Sequence, residues 1–247
     1  MNLRAEACES ALAPLVRKLE RLSPISDSDR EALLSLPHKV RKLGAGVYLV
    51  RDGDAPEHVT VLLAGFAYRH KVTGDGARQI VSIHMRGDFV DLQNGLLTCA
   101  DHNVQTLTDT EVALVPTEAV RNLALQRPGI ARAMWIDTLI DASIFREWVV
   151  NVGRRDSITR IAHLLCEFSL RLRSAGLANG HRYHLPMTQE QLADATGLTS
   201  VHVNRVLKRL GEQGLISRNG RSLTIEDWER MSRTADFNDR YLHHYAA

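Results

Sequence analysis

The sequence predicts an α+β chain in three parts: a sheet-rich domain, one long helix, and a helical domain closed by a β-hairpin. Three observations predict it. Between residues 39 and 116, short apolar runs alternate with glycine turns about every ten residues, the pattern of a sandwich, barrel or roll. From Pro128 to Val152 the period becomes helical, with Ile136, Ile140, Ile144 and Trp148 at four-residue intervals. From Met187 a helix, a glycine turn, a second helix and an Asn-Gly hairpin follow in close order.

The chain has 247 residues, enough for two domains of ordinary size, and 44% of them are hydrophobic. Its net charge is only +2, so total charge says little about partners. No run approaches the roughly 20 apolar residues of a membrane helix. The N-terminal stretch MNLRAEACESALAPLVRKLERLSPIS is broken by charges and has no signal-peptide core, so the cytoplasm is the expected location. Cys8, Cys99 and Cys166 are too scattered for a disulfide framework or a metal site, and no metal is expected.

Taken in order, residues 1–38 form two N-terminal helices. Leu12, Leu15, Val16, Leu19 and Leu22 recur at helical spacing within residues 5–22, and Ser26-Asp27-Ser28-Asp29 reads as the capped start of a second helix ending near Pro37. Residues 39–127 form a jelly-roll-like β-roll, with turns at Gly44-Ala45-Gly46, Asp52-Gly53-Asp54, Thr73-Gly74-Asp75-Gly76 and Arg86-Gly87-Asp88. Residues 128–152 form the long helix. At about 25 residues it would span ~37 Å, more than a cap on a small barrel needs. One face is expected to pack on the β-roll and another to pair with a second copy of the chain, with Ile136, Ile140, Ile144 and Trp148 as the dimer stripe. Asn151-Val152-Gly153 reads as a hinge. Residues 153–247 then hold a capped helix from Asp156 or Ser157 with Ile161, Leu164, Leu165 and Phe168, a loop over residues 174–180, the two-helix unit, the hairpin and an aromatic tail.

The two-helix unit reads MTQEQLADATGLTSVHVNRVLKRLGEQGLI over residues 187–216. Leu192 and Ala193 mark the inner face of its first helix, with Thr188 as N-cap. Gly197 sits where the chain must turn sharply, which a residue without Cβ does at least cost. Val203, Val206 and Leu207 hold the second helix against the first. The remaining face carries Thr199, Ser200, Val201, His202, Asn204, Arg205, Lys208 and Arg209. Such a winged helix-turn-helix places its second helix in the DNA major groove. Arg205 is the best base reader, since a guanidinium bonds guanine O6 and N7 together. Asn204 suits adenine or a phosphate, Thr188 and Gln189 lie at the start of the first helix, and Arg218 and Arg221 flank the backbone from the hairpin wing. The charge distribution agrees. Residues 153–235 carry 13 Lys+Arg against 8 Asp+Glu, whereas residues 1–152 carry 17 against 19. A basic excess on this module is what counterion release requires.

The order of glycine-punctuated β-domain, long helix, hinge and winged helix-turn-helix resembles the Crp/Fnr family of bacterial transcription regulators. The resemblance covers nearly the whole chain. It rests most on GLTSVHVNRVLKRLGEQGLI (197–216), the Gly87-Asp88-Phe89 turn and RIAHLL (160–165). It implies a homodimer that binds near-palindromic double-stranded DNA, works with RNA polymerase and has no membrane role. The family's recognition helix usually offers a glutamate where this chain has Val201, so a half-site that departs from the best-known ones is expected, with guanine kept under Arg205.

The sensor end departs further. Family members that bind cyclic AMP carry a Gly-Glu-Leu segment and an Arg-Ser pair. Here no arginine lies between Gly87 and Arg121, so cyclic AMP is not expected as effector, and Asp91, Gln93, Asn94, Asp101, His102 and Asn103 are the candidates for a polar pocket of another kind. An iron–sulfur cluster is not expected either, since Cys8 stands alone near the N-terminus. Two rival readings remain. One is a cyclic-nucleotide-binding module acting on a protein partner, which leaves the helix-turn-helix without a role. The other is a cupin-like metalloenzyme, but His58, His70, His84 and His102 lack His-x-His spacing, and no enzyme motif appears elsewhere, so catalysis is not expected.

Overall fold

The computed structural model describes residues 10–243. Helices α1 (Ala13–Leu22) and α2 (Asp27–Leu34) open the chain. The earlier part of the expected first helix, with Cys8, lies outside the described residues. Ser26 caps α2 by accepting from the Asp29 amide, and Asp27 and Asp29 sit in its positive first turn.

Seven strands build the β-roll: β1 (Lys39–Leu43), β2 (Tyr48–Val50), β3 (His58–Ala64), β4 (Ala67–Val72), β5 (Arg78–His84), β6 (Asn103–Thr106) and β7 (Thr110–Pro116). They form two antiparallel sheets, β1-β7-β3 and β2-β6-β4-β5. Val50, Leu62, Ala67, Val90, Val104 and Val112 close the space between the sheets. A short 3₁₀ turn (Leu92–Gly95) follows the Gly87-Asp88-Phe89 corner. Gly87 is needed at that corner: its φ is +91°, and an added Cβ would stand 2.8 Å from the Pro14 carbonyl oxygen of α1.

Helix α3 (Thr117–Gln126) was not anticipated from the sequence. It begins after Pro116 and ends at Arg127, next to Pro128, the residue that opens α4 (Pro128–Arg154). Two expectations about α4 are corrected. Asn151-Val152-Gly153 is not a hinge but helix. The break falls at Arg155, which is extended, and Asp156 caps α5 (Ser157–Ser174) by accepting from the amides of Ile158 and Thr159. Asn151 is held in place by donating to the Arg160 carbonyl at 3.1 Å.

The second correction concerns the dimer stripe. Ile144 and Trp148 are buried in this chain's own core, and Ile140 packs beside them. Ile136 is half-buried. The reason is geometric. Four residues overshoot a 3.6-residue turn by about 40°, so a four-residue stripe winds around the helix and is taken up by the chain's own domains. The opposite face carries Trp135, Leu139, Phe145 and Val149, which are 69, 53, 49 and 57% exposed.

The last part holds α5, β8 (Arg182–His184), α6 (Gln189–Thr196), α7 (Ser200–Glu212), β9 (Ile216–Asn219), β10 (Ser222–Ile225), α8 (Trp228–Thr234) and a closing 3₁₀ turn (Asp239–Leu242). The wing is a three-stranded sheet in the order β8-β10-β9. One core runs without interruption from β5 of the roll through Ile144 and Trp148 to α5, α6 and α7.

Buried polar groups tie these parts together. Trp148 Nε1 donates to both oxygens of Glu167, at 3.0 and 3.1 Å, and the Tyr241 hydroxyl donates to Glu167 Oε2 at 2.9 Å. Arg171 pairs with Glu167 at 3.3 Å and donates to the Ile83 carbonyl of β5 at 2.6 Å. Lys18 of α1 bridges Asp88 (2.9 Å) and Asp137 of α4 (2.6 Å). His163 is fully buried beside Tyr241 and Phe237, and its Nε2 lies 3.1 Å from the Tyr241 hydroxyl. Burial, reinforced by Arg155, holds its pKa down to about 4.

A pH dependence follows. The folded pKa of His163 lies below the unfolded value of about 6.5, so the unfolded state takes up the proton first as pH falls. The stabilisation is therefore present above pH ~6.5 and is lost toward pH ~4. Replacing this imidazole removes the effect. In urea titrations, His163→Gln should lose about 2 kcal/mol less stability than the wild type between pH 7 and pH 5. Equal losses would mean that the folded and unfolded states take up this proton at the same pH, so that the fold does not hold His163 neutral.

Candidate nucleic-acid interface

The interface is assembled by two short helices whose ends are fixed locally. Thr188 caps α6 through a reciprocal capping box: its hydroxyl accepts from the Gln191 amide at 3.2 Å, and its own amide donates to Gln191 Oε1 at 2.9 Å. Gly197 ends α6 in the left-handed region, with φ +64°. Thr199 caps α7 by accepting from the His202 amide at 3.3 Å. Val203, Val206, Leu207 and Leu210 are buried, and this fixes the rotation of α7.

That rotation leaves Ser200, Val201, His202, Asn204, Arg205 and Lys208 exposed. Val201, Asn204, Arg205 and Lys208 follow at i, i+3, i+4 and i+7, so they lie on one helix face. Between this face and the wing runs a groove of about 450 Å³, lined by Asn204, Lys208, Arg218 and Gly220 among others. The wing turn is displaced by one residue from the expected Asn-Gly turn. Asn219 pairs with Ser222, so Gly220 and Arg221 form the two-residue loop, with φ +60° at Gly220. Glycine at the first loop position is the requirement of a type II′ hairpin. Arg218 and Arg221 are both exposed there.

One further contact was not visible in the sequence. Asn204 Nδ2 donates to Gln189 Oε1 at 3.2 Å, linking the first residue of α6 to the reading face of α7. No spacing rule points to it, because fifteen residues and a turn separate the two side chains. The opposite side of α6 docks on the β-roll. Arg78 of β5 makes an ion pair with Asp194 at 2.6 Å, and Gln79 donates to the Ala195 carbonyl at 3.4 Å.

The six residues expected to form a polar effector pocket do not converge on one cavity. Asp91 is fully buried and takes the Thr60 amide at 2.7 Å and the Thr60 hydroxyl at 3.2 Å, so it pins the turn to β3. Burial pushes its carboxyl up to about 7. His102 is held between Asp101 Oδ1 (2.5 Å) and Gln93 Nε2 (3.0 Å). Asn103 accepts from the Asp52 amide at 3.2 Å, and Asn94 is buried. Asp91, Asp101, His102 and Asn103 are thus engaged in local structure, whereas the buried Asn94 amide has no hydrogen-bond partner among the described residues. The large cavity lies elsewhere, between the 3₁₀ turn, α3 and α4. It holds about 850 Å³ and is lined by Leu92, Val120, Met134 and Trp135, with Arg69, Asp137 and Asp141 on its polar side. Of the six expected residues, Gln93 lines it. Arg69 is neutralised there by Asp141 at 3.0 Å. Cys99 is exposed and Cys166 buried, and burial pushes the Cys166 thiol up. Among the described residues, no helix is long and apolar enough to cross a membrane, and no cluster of three or more metal-ligating side chains occurs.

Known proteins match both halves. The cyclic nucleotide-binding domain family matches residues 40–127, and the Crp-like helix-turn-helix domain family matches residues 159–234. The chain is 29% identical over 216 residues to the transcriptional activator protein FnrL of Cereibacter sphaeroides, covering 85% of each chain. It is 25% identical over 224 residues to the transcriptional activator protein Anr of Pseudomonas protegens, covering 91% of this chain and 90% of that one. Its fold is that of FixK2 from Bradyrhizobium japonicum, with a TM-score of 0.75 at 24% identity, over 81% of this chain and 98% of the other. With a β-roll and a helix-turn-helix matched in the same order along relatives of similar length, the chain belongs to the Crp/Fnr family of transcription regulators.

Proposed function

We propose that this protein is a homodimeric regulator that binds a near-palindromic DNA site through α7 and the wing and acts on transcription with RNA polymerase as partner. The observation that carries the reading is the exposed face of Val201, Asn204, Arg205 and Lys208 beside Arg218, a polar and cationic surface on a helix that is buried on its other side. Arg205 reads a guanine, Val201 contacts a thymine methyl, and Ser200, Thr199, His202, Thr188, Gln189, Arg218 and Arg221 hold base edges or phosphates. Neither rival reading, a module acting on a protein partner or an enzyme, accounts for this face.

Dimerisation uses the outward face of α4. Trp135, Leu139, Phe145 and Val149 form an exposed apolar strip along a 27-residue helix, which is costly in water and suits pairing with the same helix of a second copy. The cavity of about 850 Å³ opens beside this strip and has the size of a small-molecule site. A signal bound there would touch α4 directly. It changes DNA binding only in so far as it prefers one arrangement of the dimer.

Two experiments test the reading. Binding sites selected from random duplex DNA at a stated salt concentration should yield a palindrome with a guanine in each half-site. Arg205→Ala should then weaken the selected duplex by about 5- to 150-fold per half-site, from the ~1–3 kcal/mol of a bidentate base contact. An unchanged affinity would remove Arg205 from the reading surface. In sedimentation analysis, Leu139→Glu should turn a dimer into a monomer and reduce operator affinity with it. A dimer that persists would place the interface elsewhere.

A further inference from the structure

The link between Gln189 and Asn204 gives the reading face a chemical sense that neither residue has alone. A lone asparagine at an exposed helix position can turn its amide over, exchanging donor for acceptor, and so has no fixed preference among bases. Here the Gln189 Oε1 acceptor faces Asn204 Nδ2 at 3.2 Å. That contact consumes one of the two Nδ2 hydrogens. It leaves the second hydrogen and Oδ1 side by side, one donor beside one acceptor. Adenine offers the matching pair in the major groove, with N7 accepting and N6 donating.

The backbone of Gln189 is fixed. This residue is the first of α6, directly after the Thr188 cap. The other glutamine of that turn, Gln191, is engaged in the capping box and does not compete for Asn204. The Gln189 Nε2 group remains available to a phosphate at the N-terminal end of α6, where the helix dipole favours an anion. Each polar group of the pair then has a partner in the bound state.

We infer that Gln189 and Asn204 act as one composite reader that selects adenine in each half-site, next to the guanine under Arg205, with Asn204 contacting the base and Gln189 as its positioning residue. The inference rests on the proposal that α7 reads DNA. It goes beyond that proposal in naming the base and in making the preference depend on a residue of the other helix.

The test starts from the duplex that the wild-type protein selects from random DNA. Affinities are measured at fixed salt for that duplex and for versions with each other base pair at the position beside the conserved guanine. The proteins are wild type, Asn204→Ala, Gln189→Ala, the double variant and Gln189→Glu. Wild type should prefer adenine by about 5- to 150-fold per half-site. Asn204→Ala should abolish the preference. Gln189→Ala should reduce it, and should add nothing in the Asn204→Ala background. Gln189→Glu keeps the acceptor toward Asn204 but repels phosphate. It should therefore keep the adenine preference while binding all duplexes more weakly, a split that a merely structural role would not produce. Both side chains lie on the surface, so unchanged melting temperatures confirm that the fold is intact.

The inference is overturned if Gln189→Ala weakens all four duplexes equally, or if the two substitutions act additively on the preference. It is also overturned if the selected base is guanine or thymine, which a pair of the opposite sense, offering two donors, would favour. A palindrome with a guanine that depends on Arg205, but with no adenine that depends on Asn204, sinks the pair and leaves the regulator standing. Failure to select any sequence sinks both.

Discussion

Glu167 is a carboxylate almost without contact with solvent, and three parts of the chain meet on it. Trp148 reaches it from α4, Tyr241 from the C-terminal turn and Arg171 from its own helix. Burial raises its pKa, and the Arg171 guanidinium, with the Tyr241 and Trp148 donors, opposes that rise. Arg171 also reaches the Ile83 carbonyl of the roll and lies 3.8 Å from Asp88. Asp88 in turn meets Lys18 of α1, and Lys18 meets Asp137 of α4. The relative placement of β-roll, long helix and helix-turn-helix is thus written in ion pairs and hydrogen bonds whose geometry is specific, laid over an apolar core that is not. Apolar packing tolerates small slides. A carboxylate with two neutral donors and one guanidinium does so far less readily.

The division of labour between the two reading helices follows from this placement. Helix α6 has two sides in use. One is docked on β5 through Arg78–Asp194, and the other supplies Gln189 to the reading face. Helix α7 buries its apolar stripe against α6 and α5 and turns its polar side outward. The capping box at Thr188 and the left-handed Gly197 set the angle between them.

Legibility in the sequence tracked the range of the forces involved. The helix-turn-helix was legible in its Thr188 cap, its Gly197 turn and the Val203/Val206/Leu207 stripe, because these are determined within a few residues of one another, whereas the capping role of Thr199 was not. The β-roll was legible as alternating runs and glycine turns. The face of α4 was not. Both Ile140 and Leu139 are apolar, and only the placement of the roll and α5 decides which of them is covered. The 151–153 segment contains an asparagine and a glycine, which usually punctuate a helix, yet the Asn151 bond to Arg160 and continued packing carry the helix through them. The expected effector pocket failed for a related reason. Asp91, Asn94 and His102 have the right chemistry, but side-chain direction alternates along strands and turns, and it points them at Thr60, into the core and at Asp101. Helix α3 is not legible because it lies between Pro116 and Pro128, which also mark the edges of its neighbours. The Gln189–Asn204 contact is long-range in sequence and depends on the angle between two helices, which no periodicity encodes.

The docking of α6 rather than α7 on the β-roll bears on how such a chain diverges. Substitutions at 201, 204, 205 and 208 alter solvent-facing atoms on a helix whose footing lies on its other side. On the reading proposed above, they would change which operators are bound without touching the Arg78–Asp194 joint or the core behind it. Conversely, changes in the roll meet the helix-turn-helix at α6, through Arg78 and Gln79, and not at the exposed face of α7. Lineages carrying this arrangement are free to rewire their target genes and their inputs on separate evolutionary clocks. Gln189 is the exception, because it stands on the docked helix and touches the reading one, and drift at that single position would be felt on both sides.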